Sequence, residues 1–320
     1  MVSNDLYLGI DTGGTAMKHV LTNASGKVVA CGEVPTLSHD PTASLKCLAA
    51  AVAGDLGGPD LPRLAAVGLA CAGIINPDTG ALGRSPNLPG WENSPLGQMV
   101  SEVFTGKPYA VANDVNGALY GEYCYGAGRG YKHLVMIALG TGVGGGVIVD
   151  GKLVVGSHCG AGEVGHMILD PNGPLCSCGG HGCLEAYAGS SAIIRSARTP
   201  GGEGAVADLM RSRGALLNTA DLAKLATDGA AEAIAIFAEA GQWLGRAVAN
   251  LVNILDPDLV IVGGGVGQAG DLILDPCRAV VPDLVLAAEA KNVPIVPAQL
   301  GNLAAAQGAA SLARLKDLER

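Results

Sequence analysis

The chain carries little charge for its size, and positive charge is the scarcer sign. Charged residues make up only 15% of its 320 residues, and the formal net charge is −9. Binding along a nucleic-acid backbone requires clustered Lys and Arg to neutralise phosphates. The sequence contains no basic run, so its composition argues against a broad nucleic-acid-binding face.

Targeting and membrane segments are also lacking. The opening residues, MVSNDLYLGIDTGGT, do not contain the basic segment followed by an apolar stretch that a signal peptide has. The longest uncharged apolar run, Leu134–Val149, is rich in glycine and too short for a membrane-spanning helix. We therefore expect a cytoplasmic protein that does not contact a membrane.

Apolar residues and glycine are abundant instead. Hydrophobic residues make up 49% of the chain, and there are 49 glycines, many of them clustered beside apolar runs. Such clusters are typical of tight turns after strands and of places where the backbone approaches a ligand closely. The length suffices for a substantial core and predicts two domains.

The nine cysteines form two groups. Three of them lie in the stretch CSCGGHGCLEA, Cys176–Ala186. The other six are scattered among apolar or small residues, and in a reducing compartment this pattern predicts buried free thiols. These six are Cys31, Cys47, Cys71, Cys124, Cys159 and Cys277.

Hydrophobic strands that end in polar or glycine-rich turns recur along the chain. In the first half, strands are predicted at Leu6–Asp11, at LAAVGLACAGIIN, which runs into a glycine turn, and at YAVANDV, with Asn113 and Asp114 at the end of the last of them. Ligands of α/β sheets usually bind at such strand ends. A second sheet is predicted from His133, with a hairpin turn at Asp150-Gly151. Apolar spacing predicts a long helix over Ala231–Leu255.

Three glycine turns follow buried strands, at Asp11–Thr15, Gly140–Gly142 and Gly263–Gly265. Backbone N–H groups of such turns can hold phosphate oxygens, and Asp11 is placed to hold Mg²⁺ through water. The first two turns lead into another strand, unlike the dinucleotide-binding turn, which opens into a helix. Together the three turns predict a bound nucleotide.

The motifs in their order resemble the ROK family (repressors, open reading frames and sugar kinases). The resemblance covers nearly the whole chain, and NLPGW and the ND pair look most like ROK glucokinases. The cysteine motif, with a histidine ten residues upstream, is its most specific part. The motifs that carry the resemblance are DTGGT, PNLPGW, ND, GTGVGGG, GEVGH, CSCGGHGCLE and VGGGV.

The resemblance implies an α/β fold with two domains, that of the actin-like and hexokinase-like (ribonuclease H-like) ATPases, with an interdomain cleft. Residues 1–116 would form the smaller domain, to which a C-terminal helix at about 302–320 returns. Residues 117–301 would form the larger domain with the cysteine motif. A homodimer or homotetramer is also implied.

The implied reaction is transfer of the γ-phosphate of Mg·ATP to the 6-hydroxyl of a hexose, with glucose as the expected substrate. Such a reaction requires positioning, charge neutralisation and a carboxylate that accepts the hydroxyl proton, and Asp114 would be that base. The implied sugar ligands are Asn87, Asn113, Asp114, Glu163, His166 and Glu185. The implied nucleotide contacts are Asp11, Gly13, Gly14, Thr15, Thr141, Gly142, Gly264 and Gly265.

The cysteine motif is interpreted as a structural zinc site. The resemblance implies that His166, Cys176, Cys178 and Cys183 are the ligands, and four protein ligands leave no open position for a catalytic water. A disulfide is disfavoured in a reducing compartment, and a redox pair would usually be Cys-x-x-Cys rather than Cys-x-Cys. His181 is the alternative fourth ligand.

Several alternatives remain open on the sequence. The substrate could be N-acetylmannosamine or N-acetylglucosamine, and the protein could be a non-catalytic ROK-type sugar sensor. ROK repressors have an extra N-terminal helix-turn-helix domain, whereas few residues precede the first strand here, so we expect no DNA-binding role. A polyphosphate donor would call for a basic groove. Cys71-Ala72-Gly73 stands where relatives often have Pro-Gly, Ala16 stands where many have Lys, and we assign no role to Lys18.

Overall fold

The computed structural model describes residues 5–56, 63–85, 87–198, 203–287 and 292–319. The chain forms two compact units. The first unit comprises Met1–Gly130, Leu153–Ala161 and Gln299–Arg320, and the second comprises Tyr131–Lys152 and Gly162–Ala298.

The described part of the chain begins with three strands and ends with a helix. The strands are β1 (Leu6–Thr12), β2 (Ala16–Asn23), β3 (Val28–Pro35), β4 (Leu64–Cys71), β5 (Tyr109–Asn113), β6 (Leu134–Leu139), β7 (Val143–Val149), β8 (Lys152–Leu153), β9 (Leu259–Gly263) and β10 (Ile295–Pro297). The helices are α1 (Pro41–Asp55), α2 (Leu96–Val103), α3 (Asp114–Tyr125), α4 (Glu185–Ala188), α5 (Ser190–Ala197), α6 (Ala205–Arg213), α7 (Thr219–Thr227), α8 (Ala231–Leu255), α9 (Gly264–Gly267), α10 (Asp271–Leu284) and α11 (Ala304–Leu318). Short 3₁₀ helices lie at Pro89–Trp91, Val164–His166, Gly214–Leu216 and Gly301–Leu303.

The sheet of the first unit has the strand order β3-β2-β1-β4-β5. Strands β1, β2 and β3 pair antiparallel, whereas β4 runs parallel to both β1 and β5. Because parallel strands end at the same edge of a sheet, the carboxyl ends of β1, β4 and β5 are neighbours. The polar residues that follow these strands therefore collect at one edge.

The two faces of this sheet are covered differently. On one face, α1 and α2 contribute to a core of large apolar side chains that includes Leu45, Val100, Trp91 and Phe104. On the other face, α11 contacts β1 and β4 through small residues. A Cβ at Gly9 would lie 1.8 Å from the carbonyl oxygen of Ala306, so the helix backbone rests directly on the strand. Glycine at that position makes this approach possible.

Helix α3 packs against α11 and is fastened by a buried acid. The side chain of Glu122 is fully buried. Its Oε1 accepts hydrogen bonds from the backbone N–H groups of Gln299 (2.8 Å) and Leu300 (2.7 Å), and its Oε2 accepts one from Ala127 (2.8 Å). Backbone donors that satisfy both oxygens allow a carboxylate to be buried. One side chain thus joins the end of α3 to the segment that enters α11.

The sheet of the second unit has the order β10-β9-β6-β7-β8. Strands β6 and β7 pair antiparallel, whereas β9 runs parallel to β6 and to β10. The predicted turn after β7 is confirmed, since Asp150 (φ 50°) and Gly151 (φ 74°) both adopt the left-handed conformation that a tight hairpin needs. Helix α8 has the predicted bounds, and α10 packs against it.

The prediction that the six scattered cysteines are buried is wrong for two of them. Cys71 and Cys277 are buried and Cys124 and Cys159 partly so, but Cys31 and Cys47 are exposed. Cys31 lies on the edge strand β3, most of which is open to solvent. Cys47 lies on α1 away from the side that Leu45 and Leu48 bury.

None of the helices in the described part of the chain is both long enough and apolar enough to cross a membrane.

Candidate active site and metal centre

Polar side chains meet at the carboxyl edge of the first sheet. Asp11 lies near the end of β1, and Asp114 begins α3 directly after β5. Cys71 ends β4 and pairs in register with Thr12 on one side and with Asn113 on the other. The strand topology therefore brings together the polar residues that sequence analysis placed at separate strand ends.

The carboxyl group of Asp11 is hard to ionise. Burial is the main cause that raises its pKa from 3.8 to about 6, and the negative charge of Asp114 adds to the effect. Lys18 opposes both causes by lowering the pKa. The pKa of the Cys71 thiol is also raised, first by burial and then by the charges of Asp114 and Asp11. A site with two acids and little solvent favours a bound cation.

Asn113 fixes the start of α3. Its Oδ1 accepts hydrogen bonds from the backbone N–H groups of Val115 (2.9 Å) and Asn116 (3.2 Å), which is the geometry of a helix N-cap. Its Nδ2 donates to the carbonyl oxygen of Gly73 at 3.1 Å. Among the described residues this carbonyl oxygen is the only acceptor for the amide N–H groups, so the second N–H is available to a ligand. Through the same hydrogen bond, the Cys71–Gly73 segment helps to hold Asn113, and with it the adjacent Asp114, in place.

The first glycine turn, between β1 and β2, is open to solvent on Gly13, Gly14 and Thr15. Thr36 holds it in place, because its backbone N–H donates to the carbonyl of Thr15 (2.9 Å) and its hydroxyl donates to that of Gly13 (2.8 Å). Asn87 is exposed and lies beside this turn, since a Cβ at Gly14 would be 3.0 Å from the Asn87 carbonyl oxygen. The family resemblance implies that Asn87 binds the sugar and that the turn binds the nucleotide.

The second and third glycine turns lie side by side. The Gly140–Gly142 turn follows β6, and Gly264 and Gly265 follow β9, which runs parallel to β6. Gly264 has φ +83°, and a Cβ there would lie 2.3 Å from the carbonyl oxygen of Leu139. The third turn opens into the short helix α9, whereas the second leads into β7. Thr141, Gly142, Gly264 and Gly265 thus belong to adjacent strand ends.

The four predicted metal ligands form one cluster. The donor atoms of His166, Cys176, Cys178 and Cys183 all lie within 4.8 Å of one another. Nδ1 of His166 is 3.7 Å from Sγ of Cys176, and Sγ of Cys178 is 3.7 Å from Sγ of Cys183. Tetrahedral Zn²⁺ with Zn–S bonds of about 2.3 Å separates its sulfurs by about 3.8 Å. The donor set therefore fits a zinc ion in both chemistry and spacing.

Local backbone geometry explains how the chain winds around this cluster. The N–H of Cys176 donates to the carbonyl of Gly180 (2.8 Å), which closes the loop that contains Cys178. Gly182 has φ +67°, and a Cβ there would lie 1.6 Å from the carbonyl oxygen of Asp170. Only glycine fits such a position. His181 is exposed, with Nδ1 3.0 Å from the Gly173 carbonyl oxygen, and is not one of the four clustered donors.

Two glutamates adjoin the cluster in different ways. Glu163 is exposed and directly precedes the 3₁₀ helix that contains His166. Glu185 is the first residue of α4, and its Oε2 accepts a hydrogen bond from the backbone N–H of Val143 at 3.0 Å. Its Oε1 accepts from the hydroxyl of Ser177 and, at 3.5 Å, from the thiol of Cys176.

The electrostatic balance at Glu185 favours the ionised form. Burial is the largest single influence and would raise the pKa of this carboxyl group. The hydrogen bonds from Ser177 and Val143, together with the nearby His166, outweigh burial and lower the pKa. The roles of Ser177 and of the Val143 backbone are not visible in the sequence, because Ser177 looks like a spacer between two cysteines and a backbone donor has no sequence signal.

Two mixed sheets with helices on their faces, glycine turns at strand ends and paired acids beside them define the actin-like and hexokinase-like ATPase fold. The sequence profile of the ROK family matches residues 7–316. The chain therefore belongs to the ROK family.

Two glucokinases and a xylose repressor are similar to the chain over most of its length. The chain is 35% identical to a glucokinase of Streptomyces coelicolor (strain ATCC BAA-471 / A3(2) / M145) over 318 residues, which cover 98% of each chain. It superposes on the crystal structure of a ROK family glucokinase from Streptomyces griseus in complex with glucose and AMPPNP, with a TM-score of 0.81 and 35% identity over 97% of this chain and 99% of that one. It is also 28% identical to a xylose repressor of Bacillus subtilis (strain 168), over 95% of this chain and 76% of the repressor.

Proposed function

We propose that the protein is an ATP-dependent glucokinase that transfers the γ-phosphate of Mg·ATP to the 6-hydroxyl of glucose. The observation that carries the proposal is the likeness, over almost the full length of both chains, to a glucokinase that binds glucose and AMPPNP. In this reaction the bond from the γ-phosphorus to ADP breaks, a bond to O6 of glucose forms, and the hydroxyl proton passes to a base.

Asp114 is the proposed base. It is the first residue of α3, and the cap made by Asn113 fixes that end of the helix. Its neighbour Asp11 would hold Mg²⁺ through water. Burial and then the charge of Asp114 raise the pKa of Asp11, and a bound cation would offset the repulsion between the two acids. One carboxylate would thus accept the proton while the other holds the metal.

The proposed nucleotide contacts are the three glycine turns. Gly13, Gly14 and Thr15 present exposed backbone beside Asp11. Thr141 and Gly142 lie at a strand end next to that of Gly264 and Gly265. Successive backbone N–H groups in such turns hold phosphate oxygens.

The proposed ligands of the hexose are Asn87, Asn113, Asp114, Glu163, His166 and Glu185. Asn113 would use the one N–H that its cap leaves over, and the carboxylates would accept hydrogen bonds from hydroxyl groups.

The proposed metal is a structural zinc ion held by His166, Cys176, Cys178 and Cys183. When bound, it supplies a rigid crosslink and no open coordination position. The chain's own part is to present His166 and, two residues beyond Cys183, Glu185 in fixed orientation. A ligating imidazole keeps its second nitrogen free for a hydrogen bond to the sugar.

The wider setting belongs to the same proposal. We assign the protein to the cytoplasm, to the first step of glucose use in glycolysis, and to a homodimer or homotetramer. The smaller domain would comprise residues 1–116 together with the returning helix at about 302–320, and the larger domain, with the zinc motif, would comprise residues 117–301.

ADP release tests the proposal directly. We expect turnover with Mg·ATP and glucose, with the Asp114→Asn variant as the blank, and little turnover with N-acetylmannosamine or N-acetylglucosamine. Turnover only on an N-acetylated sugar would change the proposed substrate but leave the proposed mechanism as it is. The likeness to a xylose repressor supports one rival, a sugar sensor. Sugar binding without turnover on any of the three would establish that rival and overturn the kinase proposal.

A further inference from the structure

Val143, the first residue of β7, is held on both of its backbone polar groups by residues next to the metal ligands. Its N–H donates to Oε2 of Glu185 at 3.0 Å. Its carbonyl oxygen rests against Gly165, the residue before His166, so closely that a Cβ on Gly165 would lie 1.8 Å from it. Val143 directly follows the Gly140–Gly142 turn, so this grip fixes one end of the turn.

The other end of the turn is held by the same segment of chain. The carbonyl of Gly140 accepts a hydrogen bond from the backbone N–H of Ser190 at 2.9 Å. Gly189 packs on the turn as well, since a Cβ there would lie 3.2 Å from the carbonyl oxygen of Thr141. The stretch from Glu185 to Ser190 therefore brackets the turn.

Glu185 itself is oriented by Ser177. The Ser177 hydroxyl donates to Oε1, the oxygen that does not bind Val143. Ser177 lies between the metal ligands Cys176 and Cys178, so the donor is carried by the metal loop. Cys176 also donates to Oε1 as a thiol, but as a metal-bound thiolate it has no proton to give. Ser177 is then the side-chain donor that orients the carboxylate.

We propose that Ser177 and Glu185 form a positioning pair through which the metal motif organises the phosphate-binding turn as well as the sugar site. The names of the two substrates rest on the proposed function, whereas the connection between the metal loop and the turn does not. The chain Ser177–Glu185–Val143 makes nucleotide binding sensitive to a residue of the metal loop. It equally makes sugar binding sensitive to a residue of the glycine turn.

The first arm of the test changes the metal loop. Ser177→Ala removes the donor, and Ser177→Thr keeps a hydroxyl. We expect zinc-loaded Ser177→Ala to retain wild-type zinc content but to bind Mg·AMPPNP, in the absence of sugar, about 10-fold more weakly, as loss of a charge-assisted hydrogen bond would produce. Ser177→Thr should bind it within about 2-fold of wild type.

The second arm changes the turn. A Cβ at Gly142 would lie 2.3 Å from Oε2 of Glu185 and would push the carboxylate away. Gly142→Ala should therefore weaken glucose binding in the absence of nucleotide. Gly140→Ala is the matched control, because a Cβ there meets only the Gly142 carbonyl oxygen, at 3.7 Å. Its dissociation constant for glucose should stay near that of the wild type.

A third readout does not depend on either substrate. Amide hydrogen exchange at Val143 should be faster in zinc-loaded Ser177→Ala than in the wild type. The Gly263–Gly265 turn, which no backbone hydrogen bond among the described residues joins to the metal loop, should exchange unchanged. Unchanged exchange at Val143 together with unchanged Mg·AMPPNP affinity would overturn the inference. Faster exchange in a protein that does not phosphorylate glucose would uphold the positioning pair and reject the proposed function.

Discussion

Ionised Asp11 should destabilise the fold although the proposed activity needs it. Asp11→Asn should therefore stabilise the protein and abolish its turnover. The native state raises the pKa of this carboxyl group from 3.8 to about 6, mainly by burial and further by the charge of Asp114. A group with a raised native pKa binds its proton more tightly when the protein is folded. Ionisation of Asp11 therefore favours the unfolded state, by nothing below about pH 3.8 and by the full amount above pH 6.

The size of the effect follows from the shift. Each pKa unit is worth 1.36 kcal/mol, so a shift from 3.8 to about 6 costs the native state on the order of 3 kcal/mol at pH 7.5 and about half of that at pH 5. Asn has the same shape without the charge. We expect Asp11→Asn to raise the free energy of urea unfolding by an amount that approaches this figure at pH 7.5 in buffer without Mg²⁺, and to abolish turnover.

The assay is urea unfolding at pH 7.5 and pH 5, with Asp78→Asn as the control. Asp78 lies in the same unit and is exposed, so its replacement should change little at either pH. An Asp11→Asn variant that is no more stable than the wild type at pH 7.5 would refute the reasoning. A gain of equal size at both pH values would refute it too, because charge would then not be its cause.

Four further results are expected. Asp114→Asn should keep glucose binding by calorimetry but lose about 10²–10⁴-fold in kcat, and turnover near that of the wild type would place the base elsewhere. Purified protein should contain close to one zinc per chain by elemental analysis, and a fully active preparation without zinc would contradict the zinc proposal. Gly182→Ala should lose zinc, because its Cβ would lie 1.6 Å from the Asp170 carbonyl oxygen. Gly179 has φ +90° but open space around it, so Gly179→Ala should keep zinc and lose only about 1 kcal/mol of stability. Glu122→Gln should lower the free energy of urea unfolding by about 1–3 kcal/mol, because an amide group cannot accept hydrogen bonds from all three backbone donors that Glu122 satisfies. An unchanged unfolding midpoint would show that these bonds do not stabilise the fold.

Strong local patterns made much of the fold predictable. The apolar spacing over Ala231–Leu255 predicted α8, and these bounds are confirmed. The Asp150-Gly151 pair gave a hairpin turn because few other residues adopt two consecutive left-handed conformations. The strand-turn-strand opening separated the predicted fold from dinucleotide-binding folds. The predicted fold class is likewise confirmed.

Features that depend on long-range contacts were not predictable. Nothing in the sequence near Leu153–Ala161 shows that this stretch joins the first unit, because its partners are far away in the chain. Exposure of Cys31 and Cys47 depends on which strand is at the edge and which side of α1 faces the sheet, and composition around each cysteine does not reveal either.

The candidate site was predictable as a list of residues but not as an arrangement. The resemblance gave Glu185 a role with the sugar, yet the structure shows that both of its oxygens already accept protein hydrogen bonds. Its partner Ser177 carries no signal of its own, and its other partner is a backbone N–H. Such connections become visible only when the metal loop and β7 are placed together.

The identity of the product tests the central claim most directly. Wild-type protein would be incubated with Mg·ATP and uniformly ¹³C-labelled glucose, and the product examined by ³¹P and ¹³C NMR, with Asp114→Asn in parallel. The account predicts ADP and a phosphate ester on C6 in the wild-type sample and far less of both in the variant over the same time. A phosphate on another carbon, or equal product from Asp114→Asn, would contradict it.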